Sequence, residues 1–247
     1  GQYIEWDNTC PSEGFIDISS IGTNLNTTDD SEAGVTLPFP FLYQGTLYSN
    51  ITVGNNGGVI LGTLAGQVGY TMVNGNALYP YVQDLNTPYG GVYQHAVGVA
   101  PNRKFVVQWD SVAHYFNGPD AATFELIIDE ATQEIYFVYE DVQMSNPLWD
   151  YGADAEIGIR GTAQNINVSV NSPTYLQNNS CVHFYYTNCP KPTNFTIAYV
   201  SPDEVSFQWS AGLSGETNWT IIYGPDGFDP STGGTSITTT ATNAVIP

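Results

Sequence analysis

Three short runs between Lys104 and Val142 place large apolar side chains at every second residue. This period is typical of a β-strand with one buried face, because successive side chains point to opposite sides of a sheet. The gap Asp129–Gln133 between the second and third runs has the length of a hairpin loop. The pattern therefore predicts the central antiparallel sheet of an all-β sandwich. The residues predicted to face the core are Phe105, Val107, Trp109, Phe124, Leu126, Ile128, Ile135, Phe137 and Tyr139.

The charge of the chain restricts the partners it can have. There are 24 acidic and four basic residues, which gives a formal net charge of −20. Such a surface repels nucleic-acid phosphates and anionic lipid head groups, so nucleic-acid binding and polybasic membrane docking are excluded. The acidity has two interpretations: binding of divalent cations, or a solvated surface that repels its own copies. No apolar run approaches the roughly 20 residues of a membrane span, so direct membrane insertion is not expected.

The composition is typical of an exported protein. Charged residues make up 11% of the chain, against about 25% in a typical globular domain. Asn, Thr, Ser, Gly and Gln supply most of the polar surface, and Tyr occurs 17 times. This is the composition of a secreted β-protein or a surface adhesin. Gly1 is expected to be a mature or trimmed N-terminus that remains after an export segment is removed.

The three cysteines restrict how a disulfide can form. The residues between Cys181 and Cys189 form one predicted strand, which separates the two by about 26 Å, well beyond disulfide reach. Cys10 is therefore one partner of any bridge. A first strand near Tyr3–Trp6 is predicted to run antiparallel to a last strand at Val182–Thr187. That arrangement would bring Cys10 close to Cys181, and Cys189 stays an alternative partner. The remaining thiol is free or bonds to another part of a longer chain.

A polar stretch before the first long apolar run contains Asp29, Asp30 and Glu32 close together. Clustered carboxylates can bind Ca²⁺ when backbone carbonyls complete the coordination shell, so this stretch is a candidate metal site. The spacing does not match the EF-hand loop, and a solvated turn is the alternative interpretation.

A second candidate site is the aromatic and acidic loop that follows the third alternating run. Exposed aromatic rings beside carboxylates can stack on a sugar ring, which would make the loop a ligand contact. The alternative is that these rings cap the core. The residues concerned are Trp149, Asp150, Tyr151 and Asp154.

Further strands are predicted in the first third of the chain. The stretch Gly14–Ser19 is predicted to begin with a short strand. The run Val35–Phe41 alternates with two interleaved prolines, which predicts either an edge strand or an irregular approach to the sheet, because proline cannot donate to a β-ladder. Asn55 and Asn56 begin a Gly-rich turn between two alternating runs, which predicts a hairpin. Turn chemistry is a sufficient reason for both asparagines.

Five segments occur in an order that is characteristic of one family. They are LPFPFLYQGTLYSNITVGNNGGVIL, YPYVQDLN, FVVQWDSVAHYFNG, TFELIIDEATQEIYFVYEDV and AEIGIRG. In this order they resemble nidogen-like extracellular domains and their bacterial relatives, over roughly Gly14–Tyr186. The resemblance implies a nidogen-like antiparallel β-sandwich over residues 1–189. Val82 and Gln83 stand where that group usually has Trp and Asp, so Asp84 is the residue of this segment left to bind a metal.

After Cys189 the strand pattern restarts. Two alternating runs, Val205–Trp209 and Trp219–Tyr223, resemble strands B and C of a fibronectin type III domain, an Ig-like sandwich. The segment YGPDGFDPSTGG is similar to such modules in bacterial surface proteins exported by the type IX route. A complete module needs about 90–100 residues, whereas 56 remain from Pro192 to Pro247. Residues 190–247 are therefore predicted to be an incomplete module, and the chain to continue into a longer multi-domain protein. The alternative is a complete small C-terminal subdomain, which would leave an unpaired sheet edge.

The sequence favours a non-catalytic binding protein. His95, His114 and His183 lack metal-ligand spacing, and no nucleophile motif or phosphate-binding loop is present. We expect a secreted cell-surface adhesin that presents loops to surface glycans or proteins, with fibronectin-like modules as a stalk and no cofactor apart from Ca²⁺. One alternative is the accessory region of a secreted hydrolase whose catalytic domain follows residue 247. The other is a structural subunit of a surface filament.

Overall fold

A computed structural model describes residues 2–73, 75–116, 120–229 and 232–247. The chain divides into two compact units, residues 6–186 and residues 187–247 together with 1–5. Strands dominate both units, which confirms the all-β class, and a short 3-10 turn occupies Asp150–Gly152. Among the described residues, no helix has the length and apolar character needed to cross a membrane.

Within the described part of the larger unit, one sheet has eight strands. They are β1 (Tyr3–Asp7), β2 (Thr23–Asn24), β7 (Leu85–Asn86), β8 (Gly91–Val97), β9 (Lys104–His114), β10 (Ala122–Asp129), β11 (Ile135–Asp141) and β14 (Ser180–Thr187). Their order is β1-β14-β11-β10-β9-β8-β2, and β7 pairs with the end of β9. The Trp6 and Asp7 end of β1 belongs to this unit. The strands β9, β10 and β11 are antiparallel neighbours, as the alternation predicts.

The second sheet of the larger unit has six strands in the described residues. They are β3 (Glu32–Tyr43), β4 (Thr46–Gly54), β5 (Gly58–Leu61), β6 (Ala77–Val82), β12 (Glu156–Arg160) and β13 (Ile166–Val170). The order β13-β12-β6-β5-β4-β3 places β3, the strand with two interleaved prolines, at the edge. The strands β4 and β5 form the predicted hairpin around Asn55 and Asn56. Gly57 in this turn has φ of +78°, a conformation that glycine adopts at little cost.

The core lies between these two sheets and is rich in aromatic side chains. The nine residues predicted to face it from β9, β10 and β11 are all buried. The Trp109 indole N–H donates to the Gly54 carbonyl at 2.9 Å, and the Tyr139 hydroxyl donates to the Pro80 carbonyl at 2.7 Å. These bonds join the two sheets and satisfy polar atoms that burial would otherwise leave unpaired. Each buried side chain of this size contributes about 1.5–3 kcal/mol to folding.

The outer face of β9, β10 and β11 is buried as well, which the alternation does not predict. Phe15, Ile16 and Ile18 cover an apolar cluster on this face that includes Val106 and Ile127. The N-terminal segment, residues 14–19, thus acts as a third layer over the sheet.

The prediction of a short strand in the N-terminal segment is wrong. Its backbone N–H groups bond to side chains rather than to a neighbouring strand. Ile16 donates to the Glu125 carboxyl at 2.9 Å, and Ile18 donates to the Gln108 side-chain carbonyl at 2.6 Å. These two polar side chains, both buried, therefore replace a β-ladder.

A disulfide joins Cys10 to Cys181, as the first of the two predicted pairings requires. The two cysteines are 171 positions apart in the chain, and Cys181 is a buried residue of β14. Cys189, the alternative partner, is unpaired and exposed.

The smaller unit contains two small sheets in its described residues. The first has the order β15 (Thr193–Val200), β16 (Val205–Ser210), β19 (Asn243–Ile246), and the second pairs β17 (Trp219–Tyr223) with β18 (Thr235–Thr239). Strands occupy both positions predicted from the fibronectin-like runs, and the described rings of Trp209 and Trp219 meet edge to face at 6.0 Å. Phe195, Ile197 and Tyr199 of β15 are exposed.

Candidate functional site

Three aspartates from two separate loops meet at one end of the sandwich. Asp29 and Asp30 precede β3, whereas Asp84 lies between β6 and β7. One carboxylate oxygen from each lies within 4.8 Å of the other two. Partial burial, followed by the charge of Asp30, raises the pKa of the Asp84 carboxyl above its ordinary value. Oxygen ligands at this spacing could hold a hard cation such as Ca²⁺.

The buried asparagines of the β4–β5 turn hold the two aspartate loops together. The Asn56 amide donates to Asp30 at 2.9 Å, and its carbonyl accepts the Leu85 N–H at 2.8 Å. Asn55 donates to the Leu85 carbonyl at 2.5 Å and accepts the Ser31 N–H at 3.2 Å. Both side chains are 1% exposed. They therefore position the aspartate loops in addition to making a tight turn.

The fourth predicted metal ligand, Glu32, lies outside the group of three aspartates. It begins β3, and its carboxylate accepts the Val68 N–H at 2.9 Å. Once β3 starts at Glu32, the side chain belongs to the strand rather than to the aspartate loop. The structure therefore brings together Asp29, Asp30 and Asp84, but not Glu32.

A cleft of about 300 Å³ lies beside the aspartates and shares Asp84 with them. Its volume is at the lower end of the range of ligand sites, about 300–1,000 Å³. Aromatic rings, amides and carboxylates share the wall, so the cleft can offer both a stacking surface and hydrogen-bond acceptors. The lining residues are Tyr70, Thr71, Gln83, Asp84, His114, Phe116, Asp154, Glu156 and Asn171.

A bend in β9 places His114 in the wall of the cleft. Ser111 has φ of +51°, and the pairing of β9 with β10 shifts register there. Such a bulge redirects a strand. The end of β9 then pairs with β7, with Leu85 opposite His114, so that Asp84 and His114 line the same cleft.

The His114 ring is held on three sides. It stacks on the Trp149 indole, and its Nδ1 accepts the Phe116 N–H at 3.2 Å. In this arrangement the ring proton is on Nε2, which lies 3.5 Å from an Asp154 carboxylate oxygen. The His114 ring is thereby fixed in orientation, with its Nε2 toward Asp154.

The four residues of the predicted ligand loop have different positions. Asp154 lines the cleft, and Trp149 lies behind it against His114. The Asp150 carboxylate accepts the Met144 N–H at 2.6 Å, which holds the loop itself. Tyr151 has φ of +55° and is absent from the described wall of the cleft.

Several residues of the cleft carry no sequence signal for a site. His114 and Phe116 lie beyond the first alternating run, and Tyr70 lies in a Gly-rich stretch. Glu156 begins β12, within the segment AEIGIRG that contributes to the family resemblance. Gln83 is the exception, because it stands where the resembling family usually has an acidic residue. At this position the chain therefore has an uncharged amide instead of a carboxylate.

One family model, described as NIDO related, matches residues 8–199. The matched range contains the aspartates, the cleft and the Cys10–Cys181 disulfide. The comparison with curated proteins and the comparison with solved structures gave no match.

Proposed function

The chain belongs to the NIDO-related family, and from that premise we propose that it is a secreted cell-surface adhesin that binds surface glycans or proteins without catalysing a reaction. The family supports an extracellular binding module. The Cys10–Cys181 disulfide agrees with this location, because such bonds persist in oxidising surroundings.

The cleft between Asp84 and Asp154 is the observation that supports binding most directly. Phe116 is 75% exposed and Tyr70 is 55% exposed, and both line it. Large exposed rings beside hydrogen-bonding groups are typical of contact surfaces.

Calcium forms a second part of the proposal. Ca²⁺ prefers oxygen ligands and uses carboxylates together with backbone carbonyls. An ion held by Asp29, Asp30 and Asp84 would reduce their mutual repulsion and stiffen the loops next to the cleft. The role of the ion would be structural. Because Asp84 also lines the cleft, the ion would fix one side of the contact surface.

The test compares binding of the whole chain and of cleft variants to a glycan array and to intact cell surfaces. Phe116→Ala and Asp154→Asn are expected to reduce binding at least tenfold. Tyr199→Ala, which removes an aromatic ring that is 56% exposed and lies on β15, is the matched control and is expected to bind normally. Absence of binding to every surface component, together with hydrolysis of one of them, would contradict the proposal.

A further inference from the structure

The wall of the cleft carries negative charge that its own residues do not neutralise. Three carboxylates, Asp84, Asp154 and Glu156, line it, and the last two lie outside the proposed calcium site. His114 is bonded within the wall, because its Nδ1 accepts the Phe116 N–H and its Nε2 faces Asp154. None of the described lining residues is a lysine or an arginine.

Three of the four basic residues of the chain bond to other groups. Arg103 pairs with Glu130 at 2.6 Å, and Lys104 pairs with Glu13 at 2.5 Å. Arg160 donates to the backbone carbonyl of Ile159 at 3.0 Å. None of the four basic residues of the chain is in the described wall of the cleft, so a cationic ligand could supply the missing positive charge.

Gln83 adds an acceptor that lacks a donor. The side chain is 1% exposed and lines the cleft, and its Oε1 has no hydrogen-bond partner among the residues that the structure describes. Its Nε2 faces the Met144 sulfur at 3.4 Å, so the amide is oriented with the oxygen left over. A buried carbonyl oxygen without a protein donor is an acceptor that an N–H group of a ligand in the cleft could satisfy.

The exposed rings favour a positive group over a neutral one. The Phe116 ring lies 6.0 Å from the His114 ring and at 29° to it, which holds it at the cleft. The face of an aromatic ring attracts an ammonium or a guanidinium group. A sugar could stack on the same ring, but its hydroxyl groups would not neutralise the three carboxylates.

We infer that the cleft binds the cationic side chain of a lysine or arginine that a partner protein presents. The inference rests on the proposed binding function and specifies its ligand. The volume of about 300 Å³ suits a single extended side chain. The net charge of −20 would also attract a basic partner over a distance and accelerate its association.

The test titrates the whole chain with three blocked tripeptides, which have lysine, arginine or glutamine between two glycines, and follows binding by NMR. The lysine and arginine peptides are expected to bind, more weakly as salt is added, and the glutamine peptide at least tenfold more weakly. Asp154→Asn and Gln83→Leu are each expected to weaken binding of the charged peptides about tenfold, since each removes a hydrogen bond to a charged group. Asp203→Asn, the same charge change at an exposed site in the smaller unit, is the control. Near-ultraviolet circular dichroism establishes that each variant is folded.

Two results would overturn the inference. Equal binding of the three peptides, or binding that the Asp154 and Gln83 variants leave unchanged, would show that the cleft does not select a cation. Binding of a neutral glycan that is lost in Phe116→Ala, with no binding of any peptide, would overturn the inference while leaving the proposed adhesin intact. A wild-type chain that binds neither the peptides nor a glycan would overturn the proposed function as well.

Discussion

The imidazole of His114 lies flat against the indole of Trp149, with ring centroids 4.1 Å apart and planes inclined by 8°. His114 ends β9 in one sheet, and Trp149 belongs to the loop that leads to β12 in the other. The Trp149 carbonyl also accepts a hydrogen bond from the Tyr81 hydroxyl at 3.1 Å. The stack therefore connects two separate parts of the chain at the wall of the cleft.

Trp149→Ala is expected to lower the free energy of unfolding by about 2 kcal/mol, because it removes the stack and part of a half-buried ring. Trp149→Phe keeps an aromatic face for His114 and is expected to cost less than about 1 kcal/mol. Urea unfolding followed by circular dichroism measures both. An alanine variant as stable as the wild-type chain would mean that the stack does not hold the loop.

Glu125 is expected to make stability depend on pH. Burial raises the pKa of its carboxyl from 4.5 to about 8. Stability is therefore full below pH 4.5 and decreases as the pH rises toward 8, because the unfolded chain loses the proton first. Glu125→Gln stays neutral, so its advantage over the wild-type chain is expected to grow over this window to several kcal/mol, at about 1.4 kcal/mol per pKa unit.

Urea unfolding of both chains at pH 5 and pH 9 checks the Glu125 prediction. Glu204→Gln, an exposed change of the same kind, serves as the control and is expected to give the same small difference at both values. An advantage of Glu125→Gln that does not change with pH would contradict the burial argument.

Calcium is expected to stabilise the wild-type chain, by about 2.7 kcal/mol when it is present at 100 times its dissociation constant. Asp30→Asn is expected to abolish most of this gain. Asn tolerates the left-handed backbone of residue 30, where φ is +51°, so the variant removes charge without straining the loop.

Glu32→Gln is the matched control for calcium, because Glu32 was predicted as a ligand but bonds to the Val68 N–H instead. Its calcium response is expected to equal that of the wild-type chain. Thermal unfolding of chelator-treated protein, with and without CaCl₂, makes the comparison. A response lost in Glu32→Gln and retained in Asp30→Asn would place the ion elsewhere.

Asn56→Ala is expected to destabilise the chain by about 2–3 kcal/mol, since it leaves the buried Leu85 N–H without an acceptor and frees Asp30. The same variant is expected to bind calcium more weakly. Asn50→Ala in the same hairpin removes only a long, exposed hydrogen bond with Thr36 and is expected to cost less than about 0.5 kcal/mol. Equal losses in the two variants, measured by urea unfolding, would contradict the positioning role of Asn56.

The central sheet could be predicted from sequence because period-two alternation is local. The sequence also indicates that this sheet is buried on both faces, since Val106 and Ile127 make two of the runs nearly continuous in apolar residues. The covering by the N-terminal segment could not be predicted. It depends on hydrogen bonds from Ile16 and Ile18 to side chains that lie 90 or more positions later.

The candidate site was predictable only in its parts. Asp29, Asp30 and Asp84 were identified as acids in loops, but their meeting depends on the buried Asn56 amide, whose reach is tertiary. Glu32 was grouped with the aspartates because it is close in sequence, whereas the start of β3 carries it away. His114 carries no motif, and only the bend at Ser111 places it in the cleft.

The Cys10–Cys181 bond has a mechanical consequence for any pull along the chain. Tension applied before Cys10 and after Cys181 passes through the sulfur atoms, so the covalent path bypasses the residues between them. The aspartates, the cleft and both sheets lie in that bypassed loop, apart from β1 and the last residues of β14. While the bond is intact, tension would act on β1, on the part of β14 after Cys181 and on the bond itself, and the residues inside the loop would not be extended.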